Sequence, residues 1–340
     1  MPDLTYAAPV WLPGGNLQTI WPALAARRVL GPPVRWRRER WTTPDQDFID
    51  VDWQAGEPGR APPGVAAVAA SRARPVPLMV LFHGLEGSSA SHYAQAFADH
   101  ARERGAEFAV AHFRGCGGEL NHGPRAYHSG DFEEIDWILK RFRSLHTGPV
   151  VAVGVSLGGN ALMRWAGEMG SSASAVVQAV ASVCAPLDLA AGGHAIGRGF
   201  NRLVYTRMFL NTMKPKALRK LAQHPGLFDR TALLAARNLY EFDNVFTAPL
   251  HGFADTEDYW ARASAKPHLP HVRIPALALN ARNDPFVPAA SLPRPDQVSR
   301  WVRLWQPEQG GHVGFPHGRV PGHVRGMPQS VSDWLLAHTG

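Results

Sequence analysis

Gly154-Val155-Ser156-Leu157-Gly158 fits the pattern G-x-S-x-G, and its neighbours supply the context that pattern needs. A continuous apolar run, 150–155, precedes it, and a helix-patterned run, 158–168, follows. A serine so placed sits on a sharp strand-to-helix turn that lifts its hydroxyl above a sheet. Small residues on either side, with Gly159 as a third, let helix and strand approach closely. A serine hydroxyl alone is a weak nucleophile and needs a base, with an acid to orient the base. Around such an elbow the chain order is serine, acid, histidine. Asp284 is the expected acid, in the loop after the apolar run 275–280, where Pro285 stops the strand. A turn-capping role is its plain alternative. Asp188 is the second choice, and Asp243, Asp255 and Asp258 are poorer ones. His312 is the expected base, in Gly310-Gly311-His312-Val313-Gly314 after the last strand-like run, with His317 and His323 as nearby competitors. Acyl transfer also needs backbone amides aimed at the oxyanion. Leu157, after the nucleophile, is one expected donor. Leu85 is the other, in the loop His83-Gly84-Leu85-Glu86-Gly87 after the first buried strand.

The elements that must carry these residues follow from periodicity. Short runs apolar on both faces, 78–82, 108–113, 150–155, 176–184, 275–280 and 301–305, alternate with amphipathic runs at 91–104, 131–145, 158–168 and 323–338. That alternation predicts a mostly parallel sheet with helices on both faces, an α/β class fold. Residues 187–270 break the rhythm with helix-like stretches at 200–221, 231–240 and 257–264. We read them as a helical cap inserted into a core made of 1–186 and 271–340. Before the core, 17–29 reads as a helix and 34–53 as a hairpin. Residues 55–76, rich in Pro, Ala, Gly and Arg, read as a loose loop. Leu203, Val204, Met208, Phe209 and Leu210 are candidates for an acyl pocket, with ordinary helix core as the preferred alternative.

Composition sets the outer limits. The 340 residues include only 2 Cys, which excludes a disulfide scaffold and a cysteine-based zinc module. An apolar fraction of 45% excludes wholesale disorder. No apolar run reaches the roughly 18 residues of a membrane span. The net charge of +7 makes nucleic acid a candidate partner. Yet the densest cluster, Arg35, Arg37, Arg38 and Arg40, lies in an apparent strand, and Lys214, Lys216, Arg219 and Lys220 in an apparent helix. Both read as solvated faces, so no nucleic-acid partner is expected. The N-terminal Met1 to Tyr6 carries no leader pattern, which predicts a cytoplasmic protein. Helix 17–29, with Leu17, Ile20, Trp21, Leu24 and Leu30, is expected on the core; peripheral lipid contact is its alternative. No H-E-x-x-H or other zinc spacing occurs, so no metal site is expected. Cys116 lacks a recognisable base and is rejected as a nucleophile. His224 and Asp229 match H-x-x-x-x-D, a pattern that sixteen histidines produce readily by chance.

Further stretches narrow the reading. Asn16-Leu17-Gln18-Thr19-Ile20, His112-Phe113-Arg114-Gly115-Cys116-Gly117-Gly118-Glu119, Tyr127-His128-Ser129-Gly130-Asp131, Thr247-Ala248-Pro249-Leu250-His251-Gly252-Phe253 and Asp255-Thr256-Glu257-Asp258-Tyr259-Trp260 together resemble the YheT-like branch of the α/β-hydrolases. That branch also holds eukaryotic abhydrolase-domain lipases and yeast acyltransferases of medium-chain esters. The resemblance spans nearly the whole chain. It implies an α/β-hydrolase fold and a Ser-Asp-His carboxylester hydrolase without cofactor, acting on a small-molecule ester, with the triad on Ser156, Asp284 and His312. Transfer of the acyl group to an alcohol is the nearest alternative, and a non-catalytic ligand-binding protein on the same fold is the remoter one. Within the branch-like segments, the glycines at 115, 117 and 118 either shape a pocket near the elbow or form a plain turn. The stretch from Tyr240 to Tyr259, dense in aromatics and acids, reads as packing of the insertion on the core, with substrate contact as the alternative.

Overall fold

Leu78-Met79-Val80-Leu81-Phe82 has no polar side chain to turn toward water, and both of its faces are covered. In the computed structural model, which describes residues 4–55 and 75–340, these residues form β3 of an eight-stranded sheet. The strands are β1 (Trp36–Thr42), β2 (Phe48–Gln54), β3 (Leu78–Phe82), β4 (Glu107–Ala111), β5 (Val150–Val155), β6 (Ala179–Val183), β7 (Ala276–Leu279) and β8 (Val302–Trp305), in the order β1-β2-β4-β3-β5-β6-β7-β8. β1 pairs with β2, and β2 with β4, antiparallel; all other pairs are parallel. Met1 to Asp3, and most of the stretch read as a loose loop, 55–76, lie outside the described residues.

Side chains of β3 alternate between two cores. Leu78, Val80 and Phe82 pack with Leu139, Trp165 and Leu269, whereas Met79 and Leu81 pack with Phe97, Trp334 and Leu335. The first core is roofed by α3 (Phe132–Leu145) and α4 (Leu157–Met169), the second by α2 (His92–Glu103) and α12 (Gly326–Leu336). Preceding all of these, α1 (Gly15–Leu24) is shorter than the expected 17–29. Between β6 and β7 lie α5 (Leu189–Ile196), α6 (Gly199–Asn201), a π-turn (Arg202–Thr206), α7 (Arg207–Gln223), α8 (Arg230–Ala235), α9 (Leu239–Val245), α10 (Thr247–Leu250) and α11 (Thr256–Ala263). The helix expected at 231–240 is two helices. Asn238 ends the run by accepting from the Glu241 amide and capping α9. No helix among the described residues is long and apolar enough to cross a membrane.

Two arginines of the cluster, Arg38 and Arg40, pair across the hairpin. Cross-strand register sets Arg38 opposite Asp52 and Arg40 opposite Asp50. Each arginine binds its partner carboxylate through two nitrogens. Asp50 and Asp52 are thereby buried as paired ions, while Ile49 and Val51 on the other face enter the core. The glycine loop after β4 belongs to this hairpin too. A Cβ on Gly117 would overlap the Asp50 carboxylate, so that glycine serves close packing on β2. His112 Nε2 lies 2.9 Å from Asp52, and Arg114 binds Asp45, Asp47 and Glu134.

Candidate active site

Three loops at the carboxyl ends of the parallel strands converge on Ser156. The serine follows β5 and opens α4 with φ 53°, the left-handed conformation that a non-glycine residue rarely holds. Its amide donates to the Val183 carbonyl at 2.8 Å, which ties the elbow to β6. The motif glycines are required by contact. A Cβ on Gly154 would overlap the Gly158 carbonyl, and one on Gly158 would press on the carbonyls of Phe82 and His83.

The second loop follows β7 and carries Asp284. Its Oδ1 accepts from the amides of Phe286 and Val287, at 2.8 and 3.3 Å. Its Oδ2 lies 2.9 Å from His312 Nδ1. The third loop carries His312, whose Nε2 lies 3.0 Å from Ser156 Oγ. Phe286 covers one face of the imidazole at 4.1 Å between ring centres. The order is thus serine, histidine, carboxylate in one hydrogen-bonded line. With the carboxylate accepting at Nδ1, the Nδ1–H tautomer follows, and the Nε2 lone pair faces the serine hydroxyl.

A clamp that sequence reading missed holds the histidine loop. Thr19 Oγ1 accepts from the His312 amide at 2.8 Å and donates to the Gly15 carbonyl. Gln18 is fully buried; its Oε1 accepts from the Gly310 amide and from Asn283, while Asn283 Oδ1 accepts from the Gly311 amide. A Cβ on Gly314 would overlap the Gln18 carbonyl, so helix α1 and this loop are in backbone contact. Gln18 and Thr19 lie in Asn16-Leu17-Gln18-Thr19-Ile20, one of the stretches that carry the resemblance, and that was the available sign. Removing the Thr19 acceptor leaves the His312 amide unpaired and frees the loop to shift. Thr19→Val is expected to lower kcat between about 10- and 100-fold with KM little changed. Thr19→Ser, which keeps the acceptor, is expected to restore most of it. Steady-state kinetics of the two variants checks this; equal loss in both would show that the hydroxyl is not what positions the loop.

Opposite His312, the loop after β3 presses on the serine. A Cβ on Gly84 would lie 3.2 Å from Ser156 Cβ. His83 is fully buried; its Nε2 accepts from the Phe113 amide and its Nδ1 lies 2.8 Å from the Gly84 carbonyl. Burial pushes this imidazole down to about 3, so it is neutral and fixes the Gly84 carbonyl as an acceptor. The Gly84 amide donates to Tyr93 and the Glu86 amide to Tyr127. Leu85, the residue between them, lines the same cavity as Leu157, Ser156 and His312. The Leu157 amide opens α4, where the helix dipole favours developing negative charge.

The other candidates are occupied elsewhere. Asp188 caps α5 by accepting from the Ala191 amide. Asp255 caps α11, and Asp258 accepts from Ala254 and Arg262. His317 and His323 stack on each other. His224 reaches the His122 carbonyl, and Asp229 caps α8. Cys116 Sγ accepts from Lys216 Nζ, and burial pushes the thiol up to about 11. Cys184, Asp284 and His312 are the one set of metal-type donors found close together among the described residues, with ligand atoms within 4.8 Å. Hydrogen bonds already engage them: the Val313 amide donates to Cys184 Sγ, and burial holds that thiol protonated.

Over the site lies a cavity of about 1150 Å3 including its open mouth. Helix α7 turns Phe209, Met213, Lys216 and Ala217 into it, and Phe242 and Trp260 add to its walls. Of the five candidates for its wall, Phe209 alone lines it. Leu203 and Met208 are exposed, Val204 packs with Phe286, and Leu210 is buried against Leu233 and Phe242. The π-turn before α7 shifts the helix register and so changes which residues face inward. Lys216 joins α7 to the loop after β3 through Glu86 at 2.7 Å.

Comparison with known proteins agrees with this geometry. The chain matches the family model of the α/β hydrolase fold over residues 77–318. It is 37% identical to the "Putative esterase YheT" of Escherichia coli (strain K12) over 326 residues, 95% of this chain and 90% of that one. It is 29% identical to Phospholipase ABHD3 of Homo sapiens over 339 residues, 98% and 79% of the two chains. The solved structure of the Pyrococcus furiosus esterase Pf2001 superposes with a TM-score of 0.52 at 14% identity, covering 93% of this chain and 100% of its own, a likeness of fold. With YheT matched along nearly its whole length and the hydrolase core along most of this chain, the protein belongs to the α/β hydrolase fold family, as an esterase-type member of the YheT group.

Proposed function

We propose that this protein is a serine carboxylester hydrolase whose nucleophile, base and acid are Ser156, His312 and Asp284. The observation that carries the reading is the continuous line Ser156 Oγ, His312 Nε2, His312 Nδ1, Asp284 Oδ2, with steps of 3.0 and 2.9 Å, at the wall of a largely apolar cavity. Ser156 Oγ attacks the ester carbonyl as His312 Nε2 takes its proton. The tetrahedral oxyanion accepts from the amides of Leu85 and Leu157. Its collapse breaks the carbon–oxygen bond, and His312 returns the proton to the departing alcohol. Water then loses a proton to His312 and attacks the acyl-Ser156 carbonyl; collapse breaks the carbon–Oγ bond, releases the acid, and His312 returns the proton to Ser156 Oγ. Asp284 keeps the imidazole in one tautomer and faces the imidazolium that forms at each step.

In this reading 187–270 is a helical cap on a core formed by 1–186 and 271–340, and the hydrocarbon part of the ester lies among Phe209, Met213 and Phe242 beneath it. A fluorophosphonate probe is expected to label the purified protein on the peptide that contains Ser156. With p-nitrophenyl esters from acetate to laurate, kcat/KM is expected to climb by up to about fourfold per methylene until the chamber is filled. Absence of labelling in folded protein would overturn the nucleophile assignment, and a flat length profile would overturn the placement of the acyl chain.

A further inference from the structure

Asp243 is a carboxyl group in the cavity wall that the Ser156 reaction does not use. It stands on α9 and lines the same cavity as Ser156, His312, Phe242, Phe246 and Trp260. Thr247 Oγ1 donates to its Oδ1 at 2.6 Å, and Trp260 Nε1 donates to its Oδ2 at 3.1 Å. Each oxygen therefore keeps a lone pair for another donor. No arginine, lysine or histidine among the described residues forms an ion pair with it. Burial pushes the carboxyl up to about 6, and no neighbouring cation draws it back. An unpaired acid inside an apolar chamber is costly, and holding Thr247 and Trp260 does not require one. An asparagine oxygen could accept one of those bonds at no charge cost. A half-buried acid without a cation beside it, facing the space a substrate would enter, is placed for a donor that arrives with the substrate.

We propose that Asp243 is a subsite for a hydrogen-bond-donating group, a hydroxyl or an ammonium, at the far end of the substrate's acyl chain. This rests on Ser156 being the nucleophile of an esterase. A methyl terminus leaves the remaining lone pairs of the carboxyl unmatched. A hydroxyl or ammonium terminus restores in the protein the hydrogen bond it gave up in water. Sites that hydrogen-bond a substrate group discriminate more sharply than sites that only enclose it, because the analogue leaves buried polar atoms unmatched.

The test is a series of p-nitrophenyl alkanoates from hexanoate to dodecanoate, each ending in methyl, hydroxyl or ammonium, assayed with the wild type, Asp243→Asn and Asp243→Leu. In the wild type, one chain length is expected at which a polar terminus matches or exceeds the methyl parent in kcat/KM. The polar-to-methyl ratio at that length is expected to fall about tenfold or more in Asp243→Leu. Asp243→Asn separates the two donors, since a neutral amide still accepts from a hydroxyl but offers nothing extra to a cation. Ratios that are equal in the wild type and Asp243→Leu at every length overturn the proposal and leave Asp243 as a tie between α9, α10 and α11. Turnover of methyl esters reports on the fold of each variant, and the Asp243→Asn arm decides if the leucine protein does not fold. A wild type that hydrolyses none of the esters overturns the Ser156 reading first and this subsite with it, an outcome distinct from unchanged ratios.

Discussion

Ser156→Ala is expected to lower kcat on p-nitrophenyl butyrate by roughly 10^6-fold and to abolish fluorophosphonate labelling, with KM and melting temperature little changed. The reasoning is local. Ser156 Oγ is 3.0 Å from His312 Nε2, so the hydroxyl is the group whose proton the base can take. Alanine removes the nucleophile and leaves the oxyanion donors, the cavity and the elbow in place. The left-handed φ of 53° is no harder for alanine than for serine, so the turn itself should persist. Activity retained within about tenfold would show that another nucleophile does the work. Among the described residues Cys116 is the natural one to examine next, and its raised thiol, held against Lys216, makes that outcome unexpected. Active-site titration before the assay removes the contribution of contaminating wild-type enzyme, which at this expected level would otherwise set the floor.

Asp284→Asn should cost about four orders of magnitude in kcat while changing the structure very little. The hydrogen-bond geometry dictates how the amide must sit. The amides of Phe286 and Val287 both donate to one oxygen of Asp284, so the asparagine oxygen has to stay on that side. Its NH2 group then faces His312 Nδ1, where the carboxylate oxygen stood at 2.9 Å. Nδ1 must accept, the ring proton moves to Nε2, and Nε2 can no longer take the serine proton. The variant therefore holds the right shape in the wrong tautomer. Steady-state kcat, together with nitrogen NMR of the His312 ring, checks both halves of the argument. A variant with near-normal kcat would mean that the carboxylate does not govern the tautomer. Asp188 and Asp258, engaged at the ends of α5 and α11, are poorly placed to take over.

How much of this was readable beforehand differs from one residue to the next. G-x-S-x-G between an apolar run and a helix marks a strand-to-helix elbow because strand, turn and helix are all local, and its glycines are demanded by contacts within the motif or with the end of the adjacent β3. Strands apolar on both faces imply a sheet covered on both sides, and β3 divides its side chains between two cores in that manner. Asp284 and His312 were reachable because each lies in a loop directly after a strand, where chain order limits the choice.

Residues whose roles depend on distant parts of the chain were out of reach. Gln18 and Thr19 lie almost 300 positions before the loop they hold, with sequence separations of 292 and 293 to Gly310 and His312. Helix periodicity reports which residues share a face and carries no record of what packs there. Arg38 and Arg40 of β1 illustrate the same gap, since they meet Asp52 and Asp50 only once the hairpin register is set. The cavity wall needed still more. One π-turn before α7 turns Phe209 inward while Leu203 and Met208 stay outside, although all three suit an apolar wall equally well. Local spacing was therefore enough to single out Ser156, Asp284 and His312, which the fold brings into one hydrogen-bonded line, because steric demands at a turn act over a few residues. Which side chains clamp the histidine, line the chamber or leave Asp243 without a cation was decided by tertiary packing alone, because burial and hydrogen-bond pairing are properties of the elements brought together and of no single segment.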